Sequence, residues 1–586
     1  MRLILKYSLL VAGAMFAATM MTVSVQAGSV TTDDLENAAD NEAEWLIYGR
    51  DYRNQRFSPL TDITPDNVEG LQPVWAFSTG GKFGGLEGTP LFHDGVLYVS
   101  ADYARVFAID ARTGVMKWMY EPEYEPGLDA VVCCGPSNRG VALKDDFVYV
   151  ETLDAHIVAL NRADGSVAWR TKIDDWERGV ASTGAPLVVK DHVVVGTAGG
   201  EFGVRGYIKS YNAQTGELEW TTYTIPGPGE PGNETWPGDT WERGGGPTWV
   251  TGVYDPELDL LYWGAGNPAP WNSDLRPGDN LWSDSLLALN PDTGEIQWGF
   301  QFTPNDPFDY DGNAPAPVLV DVEVDGKSIK GAVQPNRNGF LYLLNRENGE
   351  FIYAVPTIDG INWTTGIDPD TGRATLNEAM VPLTGGELKV PIIPNLEGGT
   401  NWFPPAYNPD LGYLFFSTNH WAMSLEALPE EDVVLNPGDW YGVHNFQAYR
   451  LGEDLGYIKA FDVAKKEFIW QVPSPQMLFA GLLATKSGLV FTGDELGFFM
   501  ALDAESGEVL WKFQTGSGIN ASPMTYELDG TQYVAILSGM GGDPGYYYLV
   551  GPKGGMLWVF AVDGERGESS MNNVVPIEGA VPTFGE

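Results

Sequence analysis

The 586-residue chain predicts an all-β fold, an eight-bladed β-propeller. Three observations carry this: a short pattern recurs along the chain, the residues around each copy alternate apolar and polar, and long helical periodicity is scarce. The copies are AIDARTGVMKW at 108–118, ALNRADGSVAW at 159–169, SYNAQTGELEW at 210–220 and ALNPDTGEIQW at 288–298. LLNRENGEFIY at 343–353, AFDVAKKEFIW at 460–470 and ALDAESGEVLW at 501–511 complete the set. Each copy reads as a strand, a turn and a second strand ending in an aromatic. Asp or Asn near the turn can bond its own backbone, and Gly supplies the positive φ that closes a hairpin.

Spacings of roughly 40–55 residues with several strands per unit indicate propeller blades. The wider gaps, 220–288 and 353–460, are expected to hold insertions and a degenerate copy. Seven visible copies plus one diverged copy give eight blades. Trp118, Trp169, Trp220, Trp298, Trp470 and Trp511 read as packing residues that dock each blade on its neighbour. A propeller alone names no function, so chemistry is expected on loops outside the repeat, near the central channel.

Composition removes some classes of partner. The net charge of −45 argues against nucleic acid, which needs basic residues to displace its counterions. It also disfavours an anionic membrane surface, while a basic soluble partner would be steered toward the chain. Residues 1–27 read as a secretory signal: Arg2 and Lys6 precede an apolar run, and Val25-Gln26-Ala27 offers small residues for cleavage. No other apolar run approaches about 18 residues, so no integral membrane segment is expected in the mature chain, 28–586, which reads as one domain. Export to the periplasm implies an oxidising compartment.

The only two cysteines, Cys133 and Cys134, are adjacent in VVCCGPSNRG. By themselves they fit a metal site, a redox pair, two core thiols or a strained disulfide; export favours the disulfide over free thiols. No C-x-x-C-H motif marks a covalent haem, and no His cluster or cysteine spacing marks zinc or copper.

Motifs that the repeat does not explain run through the chain in order: WLIYGRDYRNQRFSPL at 45–60, then LEGTPL, CCGPSNRGVAL, TGAPLVV, GGEFGVRG, GGGPTWVTGVYDP and GNPAPWN, ending near GFFMALDAESGEVLWKFQTGSGI. With them the chain resembles the quinoprotein alcohol dehydrogenases, the methanol and ethanol dehydrogenase family that uses pyrroloquinoline quinone (PQQ). The likeness covers nearly the whole mature chain. It implies an oxidation of small primary alcohols to aldehydes, with electrons leaving to a separate soluble c-type cytochrome. A homodimer is compatible with it.

The resemblance also implies the site. Trp249 matches the tryptophan that covers one face of the flat quinone, and a Cys133–Cys134 disulfide would lie on the other face, where polarisable sulfur packs well against a π surface. Arg139 and Arg337 match partners of the anionic cofactor, since a planar guanidinium can donate two bonds to a carboxylate; Arg337 would also stabilise the reduced oxygen. Glu87, Thr183, Gly199, Gly200 and Asn401 match further contacts. Two positions depart from the family pattern: Ala198 stands where Ser is common, and Phe479 where Trp is common, at the expected substrate mouth.

Glu201, Asn267, Asp309 and Asp311 match the metal-site residues, all oxygen donors suited to a hard cation. In an extended stretch, Asp309 and Asp311 of PFDYDGN would point to the same side. Lanthanide-type relatives carry Asp at the second position and calcium-type relatives a small neutral residue, so the resemblance implies a lanthanide, with Ca2+ as the alternative. Asp309 would act as general base. Competing readings are a quinoprotein for larger, sugar or polymer alcohols, and a non-enzymatic envelope scaffold built from similar repeats.

Overall fold

A computed structural model describes residues 28–82, 85–436, 438–442, 444–541 and 554–562. The expected secretory segment, 1–27, lies outside the described residues. The architecture is all-β and of propeller type. Among the described residues there are eight sheets of four or five strands. In the first, Leu91–His93, Val96–Ala101, Arg105–Asp110 and Met116–Tyr120 pair antiparallel in chain order. Four more sheets repeat this meander through Phe351–Pro356.

The recurring pattern forms the last two strands of its sheet. Asp110 Oδ1 accepts from the Thr113 backbone N–H at 2.9 Å and the Thr113 hydroxyl at 2.8 Å, while Gly114 closes the turn at φ 71°. Asn212, Asn290 and Asp503 hold their turns in the same way. The aromatic at the end reaches into the next sheet. The Trp118 indole N–H donates to the Arg162 carbonyl at 2.8 Å, and the turn glycine Gly165 lies so close that a Cβ there would sit 2.6 Å from the ring. Trp169, Trp220, Trp470 and Trp511 donate to Ala213, Pro291, Ala504 and Leu71. Tyr353, the one copy without Trp, uses its hydroxyl on the Val463 carbonyl at 2.8 Å.

The diverged sheet is not where the gaps suggest. It forms from both ends of the chain: Leu71–Ser78 pairs with Met556–Val562, which continues into Thr531–Ser538 and Met524–Leu528. A search along the chain cannot join segments so far apart. Among the described residues, the 353–460 gap holds the first two strands of the sheet that carries the 460–470 copy, Ala406–Asn408 and Tyr413–Asn419, and besides them a hairpin, Thr364–Ile367 with Ala374–Leu376, and a three-stranded sheet of Lys389–Ile392, Trp421–Ala427 and His444–Arg450. The hairpin keeps the repeat's turn, with Asp368 Oδ1 accepting from Thr371. Its four-stranded context is gone. Apolar residues between the sheets, such as Leu97, Ile109, Val158 and Leu287, are fully buried. No helix among the described residues is long and apolar enough to cross a membrane.

Candidate active site

In an antiparallel meander, the turn between the second and third strands emerges at the same end as the connection into the next sheet. Every residue singled out from the motifs falls on one of these two places. Glu87, Cys133, Cys134, Arg139, Thr183, Trp249, Asp309, Asp311 and Asn401 lie on connections just before a first strand. Gly199, Gly200, Glu201, Asn267 and Arg337 lie on second-to-third turns. Sites scattered over three hundred residues therefore meet at one end of the sheets. The opposite end carries the repeated Asp-Gly turns.

They surround one cavity with about 980 Å³ of space, counted to its open mouth. Glu87, Cys133, Cys134, Arg139, Thr183 and Gly199 line it, as do Glu201, Trp249, Asp309, Asp311, Arg337 and Asn401. Gly200 and Asn267 stand behind the wall. A Cβ on Gly199, at φ 106°, would collide with the Gly179 carbonyl, and one on Gly200 would lie 2.6 Å from Asn267 Oδ1. Only glycines let Glu201 approach this closely.

Arg337 joins the two aspartates. Its Nη2 lies 3.0 Å from Asp309 Oδ2, and its Nη1 bonds Asp311 Oδ2. Asp311 Oδ1 also accepts from the Asn267 backbone N–H at 2.7 Å. Burial pushes the Asp309 carboxyl well above the usual range. Arg337 opposes this shift, and the charges of Asp311, Glu201 and Asp306 add to it. Burial raises Asp311 too, against Arg337, the Asn267 N–H and the Trp249 indole. The shared side is not the product of an extended stretch. Asp309 has φ 65°, in the left-handed region that Asp tolerates better than most residues. Asp306 holds this turn, accepting from the backbone N–H groups of Phe308 at 2.8 Å and Tyr310 at 2.6 Å. Tyr310 points away, its hydroxyl on the Pro394 carbonyl.

A second charged group lies along the wall. Arg139 Nη2 pairs with Glu87 Oε2 at 2.8 Å, and its Nη1 donates to Thr183 Oγ1 at 2.9 Å. Its guanidinium rests 4.6 Å from the Trp249 ring centre and 5.0 Å from that of Trp402. Trp249 is half-buried, with the remainder of its surface toward the cavity. The Cys133 and Cys134 sulfurs are 2.7 Å apart, in a turn where Cys134 has φ 60°. Asn401 donates to Glu397 Oε2 at 3.0 Å.

The residues present fit a hard cation and an anionic cofactor. Asp309 Oδ1 is buried without a hydrogen-bond partner. Glu201, Asn267, Asp309 and Asp311 supply oxygen only, while Arg139 and Arg337 offer guanidinium groups. The Asn267 amide stands between Glu201 Oε1 at 3.1 Å and Trp271 Nε1 at 3.0 Å in the orientation that satisfies both. The opposite orientation would turn its oxygen toward Glu201, as a shared cation requires. Among the described residues, no three of His, Cys, Asp and Glu are gathered closely enough to hold an ion unaided. Arg337 is the one cation that both aspartates share, a single positive charge for two carboxyl groups.

One expectation changes and another holds its place. Phe479 does not form the mouth: it is fully buried, edge-on to Phe403 at 5.7 Å. The mouth is built instead by Trp440 and Phe446, with Trp271 behind them. Ala198 does line the cavity, where its methyl gives no hydrogen bond. Ser137, Glu397 and Trp402 also line the cavity without having been singled out. Ser137 stands inside the CCGPSNRG motif and donates to Glu87 Oε1 at 2.8 Å, so a signal existed for it. Trp440 and Phe446 lie in a segment with neither repeat nor motif.

Comparison with known proteins decides the family. The family described as PQQ, glucose/ethanol/alcohol dehydrogenase, β-propeller domain, matches residues 45–358 and 444–534. The chain is 41% identical to the quinoprotein alcohol dehydrogenase PedH of Pseudomonas putida, over 94% of this chain and 96% of that protein. The chain belongs to the quinoprotein alcohol dehydrogenase family. This quinoprotein alcohol dehydrogenase is also 35% identical to the methanol dehydrogenase [cytochrome c] subunit 1 of Paracoccus denitrificans, over 95% of this chain and 96% of that one. Among solved structures, a europium-containing methanol dehydrogenase superposes with a TM-score of 0.86 at 35% identity, covering 90% of this chain and all of that chain. The protein is thus a PQQ-dependent alcohol dehydrogenase.

Proposed function

We propose that the protein oxidises primary alcohols to aldehydes, with PQQ in the cavity and a lanthanide ion held by Glu201, Asn267, Asp309 and Asp311. One observation carries the reading: Asp309 and Asp311 share Arg337 on the cavity wall beside Trp249. When bound, PQQ supplies the hydride acceptor and the cation a Lewis acid. Trp249 and a Cys133–Cys134 disulfide flank the ring system, and Arg139 and Arg337 meet its negative charge. Asp309 Oδ1, buried and unpartnered, takes the alcohol's hydroxyl proton. Burial alone favours the protonated form of Asp309, so a neighbouring positive charge is what keeps it ionised and able to act as base. A trivalent ion meets the charge of three carboxylates better than Ca2+ does. The europium-containing structural neighbour supports this choice.

The eight sheets read as eight blades locked by the recurrent aromatics, forming one domain over 28–586 after an export signal. The periplasm is the expected location. The chain has no C-x-x-C-H, so electrons pass to a separate c-type cytochrome. The relative named methanol dehydrogenase [cytochrome c] supports that acceptor. The test is reconstitution of the apoprotein with PQQ and either lanthanum or calcium, assayed on an alcohol panel with a dye acceptor. Lanthanum should support the higher activity, and Asp311→Ala should abolish it. Full lanthanum activity in Asp311→Ala would overturn the metal assignment.

A further inference from the structure

We propose that a second cavity, built on the turn that carries Glu201, binds a singly charged carboxylate anion. The inference does not depend on the alcohol-oxidation reading above. The cavity holds about 720 Å³ of space, counted to its open mouth. Arg178, Arg205 and Arg243 lie on its wall, against two carboxylates, Asp174 and Glu242. The chain has 34 lysines and arginines for 79 acidic residues, so three guanidinium groups on one wall run against its composition. In so acidic a protein an arginine is expected to find a carboxylate. Arg178 and Arg243, both exposed, form no ion pair among the described residues.

The wall is held in place. The Arg205 guanidinium lies 3.9 Å from the Tyr223 ring centre and 4.8 Å from that of Trp241, and its Nε donates to the Ile225 carbonyl at 2.8 Å. Arg243 is tied down by its bond to the Leu435 carbonyl at 3.0 Å. Tyr207, also on the wall, is buried. Its hydroxyl lies near Asp174 and Thr197 but bonds neither at hydrogen-bond geometry. An anion in the cavity would give that hydroxyl the acceptor it lacks. Val180 and Val204 add an apolar strip for a short alkyl group. Charge selects the anion. Asp174 has Lys209 beside it at 3.7 Å, and Arg205 has Glu230 at 3.4 Å, so these two outer partners offset one another. The wall itself keeps one positive charge in excess. That matches a carboxylate, whereas the phosphate dianion would be repelled by Asp174 and Glu242.

The experiment is titration calorimetry of the PQQ-loaded protein, in which the first cavity is filled, with propionate and with inorganic phosphate in low-salt buffer. Propionate should bind at one site per chain with a Kd of about 1 mM or tighter, as two or three charge-assisted hydrogen bonds allow. Phosphate should bind at least roughly tenfold more weakly. Arg178→Gln and Arg243→Gln, which remove exposed charges, should each weaken propionate roughly tenfold, with thermal unfolding unchanged. Three results would each overturn the inference: no saturable binding of propionate, propionate affinity unchanged in both variants, or phosphate binding as tightly as propionate.

Discussion

The two ends of the sheets obey different rules. At one end, turn after turn repeats the same chemistry: an Asp or Asn capping its own backbone, a left-handed glycine, and an aromatic from the preceding sheet laid on that glycine. At the other end, no two connections match. One carries adjacent cysteines, one a half-buried tryptophan, one a pair of aspartates in a strained turn. Both ends are built on the same strands, so strand geometry does not cause the difference. Repetition marks what the scaffold needs everywhere. Its absence marks what the reaction needs once.

The sharpest way to break this comparison is to remove one group from the unrepeated end. Asp309→Asn should lower kcat by roughly 10²–10⁴-fold, the range of a lost general base. It should not lower the thermal stability of the metal-free protein, because burial already disfavours the charge that the substitution removes. Turnover within tenfold of wild type would take the base role away from Asp309. At the repeated end the effects should reverse. Trp118→Ala deletes a ring that packs on Gly165 and bonds the Arg162 carbonyl. The expected cost is about 3–5 kcal/mol, read by urea unfolding, with kcat/KM unchanged. A loss of activity without loss of stability would erase the distinction between the two ends.

The repeated end was legible in the sequence because a repeat is its own signal. Seven hairpins could be placed by pattern alone, but the eighth sheet, sewn from Leu71–Ser78, Met524–Leu528, Thr531–Ser538 and Met556–Val562, could not. At the unrepeated end, twelve of the residues identified by motif meet in one cavity. Motifs report what contacts a cofactor common to a family. The pairing of Asp309 with Asp311 was expected for a reason that the backbone does not support, since Asp309 is left-handed rather than extended. Asp306, which holds that turn through two backbone bonds, carried no sequence mark of its own. Trp440 and Phe446 were invisible because an insertion is placed by its packing, and Trp440 packs on residues far away in the chain.

A smaller effect lies between the two ends. Glu151 is buried near Gly184 and Trp249, and burial pushes its carboxyl up to about 8, opposed by Ser182. Its folded pKa is above its unfolded one, so its contribution is fully present below about pH 4.5 and is lost as pH rises toward 8. Glu151→Gln cannot ionise. It should therefore gain stability relative to wild type across that window, by a few kcal/mol at most, and the gain should level off above about pH 8. Urea midpoints of both proteins between pH 5 and 9, approximately, would measure it. A flat difference would mean that Glu151 finds solvent or a partner that offsets its burial.

The smallest effect tests whether the repeated turns also matter through charge. Arg112, in the first repeat's turn, bonds Asp529 on the sheet that joins the chain ends. Both side chains are more than half exposed, 58% and 63%. Water screens such a pair, and ordering two long-reaching groups costs entropy, so Arg112→Ala should change stability by less than about 1 kcal/mol. The change should shrink further in high salt. A larger, salt-insensitive loss would mean that the closing seam depends on this ion pair. The alternative is that its backbone ladder and the Trp511 bond to Leu71 suffice, and the exposure of Arg112 and Asp529 favours that.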